Sequence, residues 1–210
     1  MRLYDYAASG NCFKVRLLLG LLGREYERVA VDIFAGDTLT DAFGALNPLR
    51  ETPVLELSDG RRLTQSNAIL WFLGEGTPFL PADPWERGLV ASWLSFEQER
   101  VMGGIGGPRF RALTGRPFDA GRLDTGRGAL AHLDDHLHGR EWVVGGVPSI
   151  ADLGLFPYVS VAGDAGLEHP PEVAAWLDRV RALPGFVDDF VTYPENARPG
   201  VARSIYDSMN

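Results

Sequence analysis

Ser9, Gly10, Asn11 and Cys12 stand in a row just ahead of a leucine-rich pattern with helical spacing. At such a helix start the backbone N–H groups point outward and the dipole favours an anion. Ser9 and Asn11 are both capping residue types, and a hydroxyl at this place can also donate to a bound anion. Cys12 is the one cysteine in the chain, which excludes an intrachain disulfide and a Cys-rich zinc site. Inside the first helical turn it is either activated by the dipole or packed under the loop; we expect packing, since free cysteine is among the most buried residue types. A second helix start lies at Gln65-Ser66-Asn67. Ser66 can cap it, and the free N–H groups there suit a carboxylate.

Other reactive-looking spacings carry less. His132 and His136 are four apart, a spacing able to bind metal on a helix face, but no third ligand is visible and a solvated polar face explains them. We expect no metal. Asp188-Asp189 and Glu97/Glu99 read as surface charge. Gly103 to Gly107 is not a phosphate loop, because it lacks a preceding strand and a Gly-Lys-Ser/Thr ending.

These residues must be positioned by elements, and the chain divides near residue 80. Before it, strand and helix patterns alternate. A strand at Leu3–Tyr6, a helix through Val15, Leu18, Leu19 and Leu22, and a strand at Arg28–Val31 read as a βαβ unit. A short helix ends at Asn47-Pro48. Val54–Leu57 and Arg61–Leu63 flank Ser58-Asp59-Gly60 as a β-hairpin. Gln65-Ser66 then opens another helix. Residues 76 to 84 hold three prolines and read as a linker. After it only helical patterns appear: Trp85–Val101, interrupted at 103–108, then Phe118–Leu137, Ile150–Val161 and Glu172–Leu183. Ser149-Ile150-Ala151-Asp152 is a capping box with Asp in place of Glu. Pro157 falls inside its helix at ~3 kcal/mol unless packing compensates. The tail from Thr192 reads as irregular and wrapped on the surface.

Composition sets outer bounds. The 210 residues carry 20 basic and 28 acidic side chains, a net charge of −8. That argues against a non-specific grip on nucleic acid or on an anionic membrane. No apolar run approaches the ~20 residues that span a bilayer, and the N-terminus has no signal-peptide pattern. We expect a cytoplasmic protein.

The ordered motifs resemble the cytosolic glutathione S-transferase family along nearly the whole chain. They are Ser9-x-x-Cys12 running into Val15-Arg16, Asn47-Pro48 before Thr52-Pro53-Val54-Leu55, Gln65-Ser66-Asn67-Ala68-Ile69, the proline-rich linker, Ser149-Ile150-Ala151-Asp152, and Trp176 with Leu183-Pro184-Gly185-Phe186. The resemblance implies an α/β plus all-α chain. Residues 1–77 form a thioredoxin-like βαβ-α-ββ-α domain that binds glutathione, 78–85 a linker, and 86–210 an all-helical domain that holds the electrophile. It also implies a homodimer, glutathione as co-substrate, and a small apolar electrophile.

Site residues follow from the same resemblance. Ser9 is the first choice as stabiliser of the glutathione thiolate, with Asn11 and Tyr6 as rivals. Lowering a thiol from about 8.5 by ~2 units requires roughly 2.7 kcal/mol, within reach of one charge-assisted hydrogen bond plus the dipole. Cys12, Arg50, Glu51, Thr52, Pro53, Gln65 and Ser66 are the implied glutathione-binding set. Thr52-Pro53 matches the family's cis-proline step, which turns the Thr52 backbone toward the cysteinyl backbone of glutathione. Gln65 and Ser66 match the site of the γ-glutamyl carboxylate. Glu51 is a departure, since members commonly carry Lys or Gln there against the glycyl carboxylate. Either Arg50 reaches round to that group or glutathione binds weakly. Met102, Ile105, Arg109 and Phe110 are the expected electrophile pocket, and an acidic residue near Glu97 faces the partner subunit's glutathione amine. Three functions compete: conjugation to an electrophile, glutathione-dependent disulfide reduction, and a non-enzymatic binding or assembly module on the same fold.

Overall fold

The structure is a computed structural model that describes residues 1–201 and 203–208. Its sheet has the order β2-β1-β3-β4, with β1 at Arg2–Asp5, β2 at Glu27–Ala30, β3 at Val54–Glu56 and β4 at Arg62–Thr64. β1 runs parallel to β2 and antiparallel to β3, so that Leu3 faces Arg28 on one side and Leu55 on the other. The parallel pair is joined by α1 (Gly10–Leu21), and β3 and β4 form the hairpin. The first strand ends one residue earlier than its pattern predicts. Tyr6 instead begins a turn closed by the Ser9 N–H donating to its carbonyl at 3.0 Å.

Local chemistry sets the helix starts. The Ser9 hydroxyl accepts from Cys12 N at 3.3 Å and caps α1. Thr40 caps α2 (Asp41–Leu46), and Asp83 with Pro84 opens α4 (Pro84–Phe96). Ser66 does not cap α3 (Ser66–Gly74): it is the first helical residue, its hydroxyl donates to Asn11 Oδ1 at 3.3 Å, and the N-cap position falls on Gln65, whose φ of 68° lies in the left-handed region that a side chain rarely adopts. Between α3 and α4 the prolines leave no regular element.

Beyond α4 one expectation is corrected. The glycines at 103–107 do not interrupt the helix. The chain continues as a π-helical segment over Glu97–Gly106 and then as α5 (Gly107–Thr114). The reason is packing. A Cβ on Gly104 would lie 2.4 Å from the backbone nitrogen of Gly126 in α6 (Gly121–Leu137), and one on Gly106 would lie 2.8 Å from the Tyr158 ring. Here glycine serves close approach of neighbours, not a break. π-helical turns are uncommon and often mark functional sites.

α7 (Ile150–Ser160) is buried from Ile150 through Val159, Pro157 included. Tertiary contact on every face offsets the hydrogen bond that Pro157 cannot donate. The capping box forms, and the buried Asp152 also accepts from Val143 N at 3.0 Å and from Trp176 Nε1 of α8 (Pro171–Arg181) at 2.9 Å. Burial pushes the Asp152 carboxyl above its usual range, and these hydrogen bonds pull it back. The principal core joins Leu3, Phe13 and Leu70 to Trp93, Phe156 and Trp176, so both halves of the chain share it.

Two further corrections concern charge and the tail. Asp189 is not simple surface charge. It accepts from Arg16 Nε at 2.9 Å, and the buried Arg16 also pairs with the buried Asp5. The tail does more than lie on the surface. Ala197 is fully buried, and Tyr206 packs on Phe34 and Phe110 with ring centroids 6.1 and 5.0 Å away.

Candidate active site

A cavity of about 440 Å³ opens where the β1–α1 turn, the Glu51–Pro53 loop and the start of α3 meet the π segment, α5, α7 and the tail. Tyr6, Ser9 and Asn11 come from the first turn. Glu51, Thr52 and Pro53 come from the loop, where the Thr52–Pro53 peptide is cis. Gln65 and Ser66 stand at the N-terminus of α3. Gln98, Met102 and Phe110 line it from the second half, together with Tyr158, Tyr193, Tyr206, Arg111 and Arg122. Two helix N-termini thus converge on one cavity, a setting that favours a ligand with separate anionic groups.

Several expected residues are placed elsewhere. Cys12 is fully buried, and its Sγ accepts from Tyr6 N at 3.4 Å. Burial, seconded by the Asp5 charge, pushes its thiol up to about 11. Arg50 does not reach round: its Nη1 donates to the Thr38 and Thr40 carbonyls, both at 2.8 Å. Glu51 therefore stays on the cavity wall without that partner. Ile105 is fully buried in the core. Arg109 is buried too, bound to Asp164 at 2.8 Å and lying over the Phe190 and Tyr193 rings. Neither lines the cavity, because the π segment and α5 turn them inward while Met102 and Phe110 face the opening. His132 is exposed, as a solvated face implies, and His136 is half-buried; both rings lie against Trp93, and His136 Nε2 lies 2.8 Å from Val143 O.

Glu97 is the largest departure from expectation. It is fully buried and pairs with the fully buried Lys14 at 2.8 Å. Lys14 Nζ also lies 3.0 Å from Asn11 Oδ1, 3.3 Å from Asn67 Oδ1 and 3.4 Å from Ser66 Oγ. Asn67 Nδ2 donates to Glu97 Oε2 at 3.1 Å. Sequence reasoning missed this cluster, although one signal was present: Lys14 is the only lysine among 20 basic residues. It also missed Gln98 and the tyrosines Tyr158, Tyr193 and Tyr206, which only the tail and α7 bring to the site. Burial raises the phenols of Tyr6, Tyr158 and Tyr193, and pushes Tyr206 up to about 12. All four remain hydrogen-bond donors at neutral pH. The buried Tyr6 hydroxyl has no partner among the described residues.

Two family models match the chain, glutathione S-transferase N-terminal domain over residues 8–75 and C-terminal domain over 119–179. The chain belongs to the glutathione S-transferase family. This transferase-family chain is 33% identical over 216 residues to a maleylacetoacetate isomerase from Rhizobium meliloti, covering 94% of this chain and 97% of that one. A solved glutathione S-transferase from Pseudomonas fluorescens superposes with a TM-score of 0.87 at 40% identity, over 90% of this chain and 98% of the other. The solved Ure2p complex with glutathione superposes with a TM-score of 0.77 at 25% identity, over 88% and 95% of the two chains. Among the described residues of the transferase, no helix is long and apolar enough to cross a membrane, and no group of three or more His, Cys, Asp or Glu is placed to hold a metal ion.

Proposed function

We propose that this transferase binds glutathione with its thiol between Ser9 and Asn11 and its γ-glutamyl carboxylate at Gln65 and Ser66. The thiolate attacks a small electrophile held against Met102 and Phe110. The thiol proton leaves to solvent. The sulfur pair forms a carbon–sulfur bond, and a leaving group departs with its electrons or the adduct takes up a proton. Catalysis comes from thiolate stabilisation and proximity, without a protein nucleophile. The observation that carries the reading is the Ser9 hydroxyl. Its oxygen accepts from the Cys12 N–H, and it lines the cavity beside the α1 N-terminus, where the O–H can turn from the buried Cys12 thiol to a bound thiolate. The burial of Cys12 weighs against disulfide exchange through a protein thiol.

The test is the thiolate absorbance of glutathione titrated against pH under saturating protein. A bound thiol titrating at least one unit below its free value, with turnover falling tenfold or more in Ser9→Ala, is the expected result. An unshifted thiol overturns the reading. The isomerase among the relatives favours a second reading, in which the same thiolate adds to a substrate double bond and is expelled again. Thiol stoichiometry separates the two, since conjugation consumes one glutathione per turnover and isomerisation none.

A further inference from the structure

The chain's only lysine is fully buried behind the cavity, in a protein whose other basic side chains are all arginine. A buried cation needs a counter-charge, and Glu97 supplies it at 2.8 Å. Burial lowers the Lys14 ammonium's pKa, and Glu97 offsets part of that. The three ammonium protons are compact and point in different directions, which a planar guanidinium cannot imitate. Beyond Glu97 they face the side-chain oxygens of Asn11, Asn67 and Ser66.

The contact with Asn11 has a directional consequence. Asn11 Oδ1 receives Lys14 Nζ at 3.0 Å and Ser66 Oγ at 3.3 Å. An ammonium only donates, so the oxygen of the Asn11 amide must face inward and its NH2 group the other way. Asn11 is half-buried and lies on the cavity wall. The described residues offer its Nδ2 no acceptor. We propose that Lys14, held by Glu97, is a positioning residue that turns the Asn11 amide nitrogen toward the cavity, where it donates to the bound thiolate beside Ser9. The inference rests on the transferase reading above. It adds the device that aims the Asn11 amide at the thiol.

The experiment titrates the glutathione thiol bound to wild type, Asn11→Asp, and Lys14→Met/Glu97→Leu, with circular dichroism as the check on folding. Asn11→Asp keeps an oxygen for Lys14 but presents a second oxygen where the amide nitrogen stood. It should fold at least as stably as wild type, yet raise the bound thiol's pKa by one unit or more. Lys14→Met/Glu97→Leu removes both charges together and should raise it similarly, with kcat at pH 6.5 down tenfold and recovering as the pH rises. Adding Asn11→Ala to that double variant should then cost less than threefold, against tenfold in wild type. A purely structural pair would change the melting temperature and leave the thiol titration where it was. An Asn11→Asp variant with the wild-type thiol pKa overturns the proposal, whether or not the double variant folds. So does an Asn11→Ala effect equal in both backgrounds. If the wild-type thiol is itself unshifted, the transferase reading fails and this inference with it; a shifted wild type with unmoved variants refutes the inference alone.

Discussion

Cys12 shows how a residue that looks reactive in sequence is disarmed by its surroundings. Its thiol is pushed from the ordinary value of 9.0 up to about 11, chiefly by burial. A raised pKa means that the folded state holds its proton when the unfolded chain has released it. The resulting stability is complete below pH 9 and is lost as the pH climbs from 9 to 11. Two units correspond to about 3 kcal/mol at the upper end. Urea unfolding at pH 8 and 10.5 should show a loss of roughly 2 kcal/mol more in wild type than in Cys12→Ala. The buried tyrosines contribute equally to both proteins. Equal losses would mean that the thiolate is not excluded. Ser9, Asn11, Gln65 and Ser66 were legible as candidates because cap chemistry and helix starts are local. Lys14 and Glu97 were not, because an ion pair across 83 positions leaves no trace in periodicity.

At the scale of elements, the π segment and α6 are held by glycine against glycine. A Cβ at Gly104 would meet Gly126 backbone atoms at 2.4 and 2.8 Å, and backbone cannot swing aside as a side chain can. Gly104→Ala should therefore destabilise by about 1–3 kcal/mol or more and lower the melting temperature. Gly88→Ala in α4 meets nothing within 4 Å. It should stabilise by about 0.5–1 kcal/mol, because alanine loses less backbone freedom in a helix. Thermal unfolding of the pair checks both signs, and a harmless Gly104→Ala would refute the close-approach explanation. The run Gly-Gly-Ile-Gly-Gly-Pro reads as a helix break on propensity alone. Packing overrides propensity here, because the neighbours need the space that side chains would fill.

Across the whole molecule the net charge is −8, yet Arg111 and Arg122 line the cavity. Neither has a carboxylate within ion-pair distance among the described residues; Arg111 Nη1 donates to the Pro117 carbonyl at 2.8 Å. Among the described residues, Glu51 is the only acid on the cavity wall. A local cationic field on an acidic protein draws in anions. An electrophile bearing a carboxylate should therefore show a KM that rises with ionic strength. In Arg111→Gln/Arg122→Gln its KM should rise at least fivefold more than that of a neutral electrophile with the same reacting group. Equal changes for the two substrates would refute the field argument.

The sequence by itself determined the order of elements up to α4, the Ser9 cap, the hairpin, the Ser149–Asp152 box and the two helix starts that meet at the site. Each depends on residues within a few positions of one another, where side-chain chemistry acts directly on backbone N–H groups. The tertiary structure alone decided which faces of the π segment and α5 meet the cavity, with Met102 and Phe110 on its wall and Ile105 and Arg109 turned inward. It also decided that Arg50 binds the Thr38 and Thr40 carbonyls, that the tail brings Tyr193 and Tyr206 to the site, and that Lys14 finds Glu97. Those outcomes depend on burial and on contacts between distant segments. Burial sets the strength of a charge, and only the assembled core sets burial.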